Sequence, residues 1–226
     1  MILNKTQKQE LLNKHAKFFA ANKNAANKIF QGIHYLKDGT AVVSDTHAIF
    51  RIKDVTSVVD DTSVTVVRSV HAITGAELEG VFPSNAIEGL ITWNQENQMT
   101  LETIFQIEDC TKYAKIAQIT VKELKAYDKI VNLVFTGENA FLQVAYKEYD
   151  FESKVYLGWL AKEQNETWSF NADYLYNAFN VFKSAKSSSI VIKVRHQNDA
   201  IVLRDEENGI DVLILPLRTN AEVRDS

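Results

Sequence analysis

The chain has 226 residues, 46% hydrophobic and 24% charged, with a formal net charge of −4. That length accommodates one large domain or two small ones, either able to bury a core, and the composition is that of an ordinary globular protein. Eight glycines and two prolines argue against disordered linkers and Gly-rich phosphate loops. Neither a Gly-x-Gly-x-x-Gly run nor a Walker-type Gly-x-x-x-x-Gly-Lys run occurs, so no nucleotide or cofactor is expected. Cys110 is the only cysteine, which suits a reducing cytoplasm. The opening Met1-Ile2-Leu3-Asn4-Lys5 turns polar at once and reads as neither a signal peptide nor a membrane span. A tight nucleic-acid binder is usually basic overall, so any DNA role here has to rest on where the lysines sit.

Thr6 and Gln9 form a capping-box pattern ahead of Leu12, Ala16 and Phe19, which recur at helical spacing. Lys14 and Lys17 fall on the other face, and the helix is expected to run to the polar stretch Asn22 to Asn27. Strand-like runs follow at Ile29 to Leu36, Thr40 to Ser44 and His47 to Ile52, with Lys37-Asp38-Gly39 as a turn signal. Val64 to Ile73 reads as a strand. Phe82-Pro83-Ser84 opens a short helix to about Ile91, where the missing proline N–H is tolerated. Met99 to Ile107 reads as another strand.

The pattern restarts near Tyr113. Tyr113 to Ile119 is expected as a strand, followed by a second capping box, Thr120 and Glu123, and a helix to about Ile130. Strands are expected at Leu133 to Phe135, Phe141 to Tyr149 and Lys154 to Leu160. Asn171 is a good N-cap for a helix ending near Lys183. Three strands close the chain: Ser189 to Arg195, Ala200 to Arg204 and Ile210 to Leu217. The last turn is Glu206-Glu207-Asn208-Gly209. The chain therefore reads as a weak internal repeat with its boundary near Asp109 to Lys112, giving domains over 1–110 and 111–226, the first of them shortened.

Lys122, Lys125 and Lys129 stand at i, i+3 and i+7, opposite Val121, Leu124, Tyr127 and Val131. Such a stripe is most often a solvated helix face, and it is also a face able to neutralise phosphates without reading bases. Asp45 and His47 offer two metal ligands, too few for a site. His15 lies beside an apolar helix face. Cys110 has no evident base partner, so a nucleophile is unsupported and no catalytic residue is expected. Trp93, Trp159 and Trp168 read as core or interface aromatics.

The run Phe170-Asn171-Ala172-Asp173-Tyr174-Leu175, its helix, and the ending Leu213-Ile214-Leu215-Pro216-Leu217-Arg218 resemble the C-terminal domain of the DNA polymerase III beta subunit, the bacterial sliding clamp. In the first half, Gln31-Gly32-Ile33-His34-Tyr35 followed by Ser44-Asp45-Thr46-His47-Ala48-Ile49, and then Phe82-Pro83-Ser84-Asn85-Ala86-Ile87, resemble the middle clamp domain. Thr46 stands where the family has Gly and Ala48 where it has Arg, and the family's Asp-Gly-x-Phe-Pro stretch is missing.

The resemblance implies an α+β clamp fold of two domains, with antiparallel sheets outside and helices lining a channel. It implies a processivity factor that encircles double-stranded DNA and tethers a polymerase, not an enzyme, in a cytoplasmic phage or prophage setting. The DNA-facing residues would be Lys14, Lys17, Lys122, Lys125, Lys129, Lys183 and Lys186. A cleft for clamp-binding peptides of polymerases and other proteins would be walled by Thr46, His47, Ile49, Leu213, Leu215, Pro216, Leu217 and Arg218. Known rings carry six domains, so two domains per chain imply a homotrimer, with a clamp loader as a further partner and no membrane. The residues alone also allow Leu213, Leu215 and Leu217 to be one core-facing row of a strand. The other functional reading is an adaptor that keeps the fold and the peptide cleft, forms no ring, and competes with a host clamp.

Overall fold

The computed structural model describes residues 2–56, 66–69, 82–91, 99–103, 107–125, 129–188, 190–194 and 199–217. Among them the helices are α1 (Lys5–His15), α2 (Ser84–Ile91), α3 (Ile107–Glu123) and α4 (Ala172–Ala185). The strands are β1 (Gly32–Tyr35), β2 (Ala41–Ser44), β3 (Ala48–Ile52), β4 (Val66–Ser69), β5 (Met99–Thr103), β6 (Ile130–Tyr146), β7 (Phe151–Asn171), β8 (Ile190–Val194), β9 (Ile201–Asp205) and β10 (Ile210–Ile214). The chain divides into two compact units, one of residues 1–94 and 204–213, the other of residues 95–203 and 214–226. Both crossings of the second half fall inside strands, β9 and β10. The boundary expected near Asp109 to Lys112 lies within α3.

In the first unit the sheet runs β4-β1-β2-β3-β10. The helix cap lies two residues before the expected one. Asn4 accepts from the Gln7 N–H while the Gln7 side chain accepts from the Asn4 N–H, each at 3.0 Å. Helix α1 stops at His15 and passes into a 3-10 turn, Ala16–Phe18, well short of Asn22. Leu11, Leu12 and Phe19 are buried, and the Phe19 ring lies 5.4 Å from that of Phe50 on β3. The expected strand from Ile29 starts later, because Asn27 caps a 3-10 turn, Lys28–Gln31, through the Ile29 N–H. The β1–β2 turn forms as expected: Gly39 takes φ 83° and Asp38 accepts from the Thr40 N–H at 2.9 Å. Helix α2 opens after Pro83 as read from the sequence.

The sheet of this unit also buries charge. Arg51 on β3 and Asp211 on β10 are 2% and 3% exposed and pair at 2.7 Å. Arg51 also donates to Glu88 on α2 at 2.5 Å. Arg204 bonds Asp211 and donates to the Ile91 carbonyl at the end of α2. The network leaves no member of the buried pair without a hydrogen-bonded counter-charge, the condition under which such groups are tolerated in a core.

The second unit orders its sheet β9-β8-β5-β7-β6. Here the sequence reading fails at one element. Residues Tyr113 to Ile119 are not a strand, and Thr120 and Glu123 do not open a helix. All belong to α3, whose buried positions Ile107, Cys110, Thr111, Ala114, Ala117 and Val121 keep a helical period. Thr111 ties α3 to α4 by donating to the Phe179 carbonyl at 3.2 Å. Three expected strands merge into one long hairpin, β6 and β7, turned by Lys147–Tyr149 and Asp150 at φ 47°. Register shifts between Gly137 and Asn139 and between Ala140 and Phe141 interrupt the ladder, as bulges do. Its inner face holds Leu133, Phe135 and Trp168, with the last two rings 4.5 Å apart. Asn171 caps α4 as expected, accepting from the Asp173 N–H at 2.8 Å.

Candidate functional site

The expected cationic stripe Lys122, Lys125 and Lys129 is not one helix face. Helix α3 ends at Glu123. Lys122 sits in its last turn, while Lys125 and Lys129 follow with φ 50° and 46°. Lys129 pairs with Asp173 at 3.1 Å. Lys14 lies near the end of α1 and Lys17 in the 3-10 turn beyond it, with the Lys17 ammonium 5.0 Å above the Phe18 ring. Lys183 is in the last turn of α4, and Lys186 caps that helix at φ 54°. All seven lysines are exposed.

Extending α3 backwards to Ile107 brings in two lysines that the sequence reading passed over. Lys112, Lys115 and Lys122 stand at i, i+3 and i+10, on the face opposite the buried row. Between them lie Ile116 and Ile119, 50% and 48% exposed. On α4, Asp173, Tyr176, Asn180 and Lys183 share a face in the same way. The two faces meet: the Lys115 ammonium sits 4.5 Å above the Tyr176 ring and donates to Gln118 at 2.8 Å, and Gln118 donates to Asp173 at 2.6 Å. The second unit thus presents a two-helix surface that carries four exposed lysines, Lys112, Lys115, Lys122 and Lys183. The signal that finds Lys112 and Lys115 is the helical period of apolar and small residues through the seventeen positions of α3, not any short motif.

The residues expected to wall a peptide cleft divide between the units. In the first, Asp45 organises the β2–β3 turn by accepting from the His47 and Ala48 N–H groups, each at 2.9 Å, and Thr46 takes φ 81°. Asp45 is therefore a turn former. Thr46 and His47 are exposed, Ile49 is buried, and Leu213 on β10 is 1% exposed. In the second unit, Leu215 is 37% exposed, and the Leu217 N–H donates to the Ser169 carbonyl at 2.8 Å. Because β10 ends at Ile214, Leu213, Leu215 and Leu217 do not form a single strand row. Arg218 and Trp93 lie outside the described residues.

Elsewhere in the first unit a cavity of about 320 Å³ is lined by Lys8, Lys53, Asp54, Arg204 and the turn from Asp205 to Gly209. Its buried carboxylate Asp205 is occupied by both the backbone and side-chain nitrogens of Asn208. Burial, and then neighbouring Asp109, push the Cys110 thiol up to about 12, far from nucleophile range. No group of metal-ligating side chains occurs among the described residues. No helix among them is long and apolar enough to cross a membrane.

Two α+β units, each with helices packed on an antiparallel sheet, define the DNA-clamp class of architecture. Solved structures identify the particular form: the protein has the fold of the DNA polymerase III beta sliding clamp. Against the beta chain of Streptococcus pneumoniae the TM-score is 0.73 at 19% identity, covering 97% of this chain and 64% of that one. Against the beta subunit of Borrelia burgdorferi, solved with a natural product, it is 0.71 at 17% identity, covering 96% and 62%. The Bartonella birtlesii clamp bound to griselimycin gives 0.74 at 13% identity, covering 96% and 65%. The chain thus spans less than two thirds of the length of these clamps. No family model matches the sequence, and no curated protein does.

Proposed function

We propose that the protein is a non-enzymatic DNA polymerase processivity factor, a sliding clamp built from two clamp-type domains that stand for the middle and last domains of the longer bacterial chains. The observation that carries this reading is the lysine surface of α3 and α4, set on the sheet of a clamp-fold unit. Lysines on helix faces hold a duplex through its phosphates and leave its bases unread, which permits sliding. An overall charge of −4 keeps the rest of the surface from adhering to DNA. Lys112 and Lys115 join Lys122 and Lys183 in the DNA-facing set. Lys14, Lys17 and Lys186 remain members by their exposure, and Lys125 and Lys129 flank it.

On this reading three copies close head to tail around the duplex, in a cytoplasmic, phage-type replication system with a loader as partner. Short linear motifs of the polymerase are the ligands proposed for Thr46, His47, Ile49, Leu213, Leu215, Pro216, Leu217 and Arg218. The competing reading is an adaptor that binds the same peptides without encircling DNA. Sedimentation mass and primer extension on primed circular DNA separate the two. A trimer that lengthens the products supports the clamp. A stable monomer at micromolar concentration that leaves product length unchanged, or shortens it, replaces the clamp with the adaptor.

A further inference from the structure

The face of the β6–β7 hairpin turned away from α3 and α4 carries aromatic side chains that the clamp reading does not use. Tyr156 is 51% exposed and Trp159 43% exposed. Phe141 lies directly across from Tyr156, their rings 5.8 Å apart and edge to face. Isolated exposed aromatics are common on proteins, but Tyr156 and Trp159, beside a half-buried Phe141 on the same sheet face, form a patch that is costly to leave in water. Between positions 138 and 166 the chain carries six carboxylates and only three lysines.

Two details show what this face accepts. The Lys154 ammonium already sits 4.4 Å above the Phe141 ring, so the strip holds a cation against an aromatic face. At the register shift the Trp159 indole N–H donates to Glu138 at 3.0 Å. That bond fixes a carboxylate at the edge of an exposed indole and leaves the ring face uncovered by the interaction. A planar guanidinium fits such a pair, stacking on the ring while bonding the carboxylate; an ammonium can do only one of these well. Nucleic acid bases also stack on exposed aromatics, but Glu138 at the indole edge and the net negative charge of the segment disfavour phosphates. Charge complementarity therefore selects a cationic polypeptide.

We propose that the strip formed by Glu138, Trp159, Tyr156 and Phe141 is a docking site for an arginine-bearing segment of a partner protein. It lies on the opposite side of the sheet from the lysine surface and does not depend on the DNA role of that surface.

The test is calorimetric titration of the full chain with an acetylated Gly-Arg-Leu-Arg-Gly amide and with its citrulline counterpart, which keeps the shape and loses the charge. Trp159→Ala is expected to weaken binding of the arginine peptide about three- to fivefold, and Glu138→Gln by about the same factor. The citrulline peptide is expected to bind about tenfold more weakly. Glu138→Gln is nearly isosteric, so its result does not depend on a fold change. Equal affinity for the two peptides, unchanged binding by both variants, or no binding to the wild-type chain each overturns the proposal. Self-association that Trp159→Ala abolishes also overturns it, by giving the face to a second copy.

Discussion

Arg51 and Asp211 stand 160 positions apart in the chain and meet inside the first unit, with two guanidinium nitrogens bonded to one carboxylate oxygen at 2.9 and 2.7 Å. Burial works to lower the Arg51 pKa, and the facing Asp211 and Glu88 carboxylates more than reverse it, so the group stays charged. Removing one partner strands a buried charge. Asp211→Ala is expected to cost about 3–5 kcal/mol of unfolding free energy in urea. Glu88 is half exposed, and Glu88→Gln is expected to cost no more than about 1 kcal/mol. Similar losses in the two variants would mean that the buried pair is not what holds β3 and β10 together.

Stability should depend on pH through two buried histidines. Burial, then Lys14 and Lys17, lower the His15 pKa to about 4. Burial lowers that of His34 to about 4 as well, against the Ile29 carbonyl, which raises it. Both are therefore neutral in the folded chain at pH 5 and mostly protonated in the unfolded one. The unfolded state binds more protons between pH 4 and 6.5. Unfolding free energy should fall through that window as the pH drops, with each histidine adding up to about 1.4 kcal/mol per pH unit. Urea melts at pH 7, 6 and 5 measure this, and His34→Gln should flatten the dependence. A slope unaltered in that variant would assign the acid sensitivity to other groups.

The two turns of the first unit differ in what a methyl group would meet. At Gly39, φ 83°, an added Cβ would lie 2.5 Å from the Thr56 carbonyl oxygen. At Gly209, φ 65°, it would lie 3.0 Å from the Lys53 Cβ. At 2.5 Å the backbone oxygen has to move, whereas a contact of 3.0 Å asks for a shift of only a few tenths of an ångström. Gly39→Ala is expected to cost more than about 2 kcal/mol and Gly209→Ala about 1–2 kcal/mol, read from thermal melts. The reverse order would place the tighter contact at the second turn.

The revised lysine set separates from the one first read in the sequence. Replacing Lys112, Lys115 and Lys122 with Ala should reduce polymerase stimulation on primed circular DNA and leave the sedimentation mass unchanged. Replacing Lys125 and Lys129 should reduce it less, since Lys129 already pairs with Asp173. If the pair costs as much as the triple, the face of α3 is not the one turned to DNA.

The contrast between α4 and α3 explains what the sequence could disclose. Asn171 announces α4 because an N-cap acts locally, through its own side chain and an amide two residues on. The turn at Gly39 and the proline before α2 are local signals of the same kind. Helix α3 has no such marker among the residues read. Ile116 and Ile119, which fall in the run expected as a strand, are exposed on it, while Cys110, Ala114 and Ala117 belong to the buried row. Small side chains gave a weak periodic signal, and packing against α4 decided the element. For the same reason the lysine surface was only half legible: Lys122 and Lys183 could be named, but Lys112 and Lys115 required the true start of the helix. The pairing of Arg51 with Asp211 was invisible, since neither residue's neighbours in sequence hint at the other.

That the first unit takes back residues 204–213 sets the order of events during synthesis. A ribosome releases Arg51 long before Asp211, and until then the guanidinium has no buried counter-ion and β3 no neighbour in β10. The second unit has nearly all of its chain in hand by that stage. Translation therefore makes most of the second unit before the first can close, and a nascent chain paused before position 204 should expose the first unit to proteases.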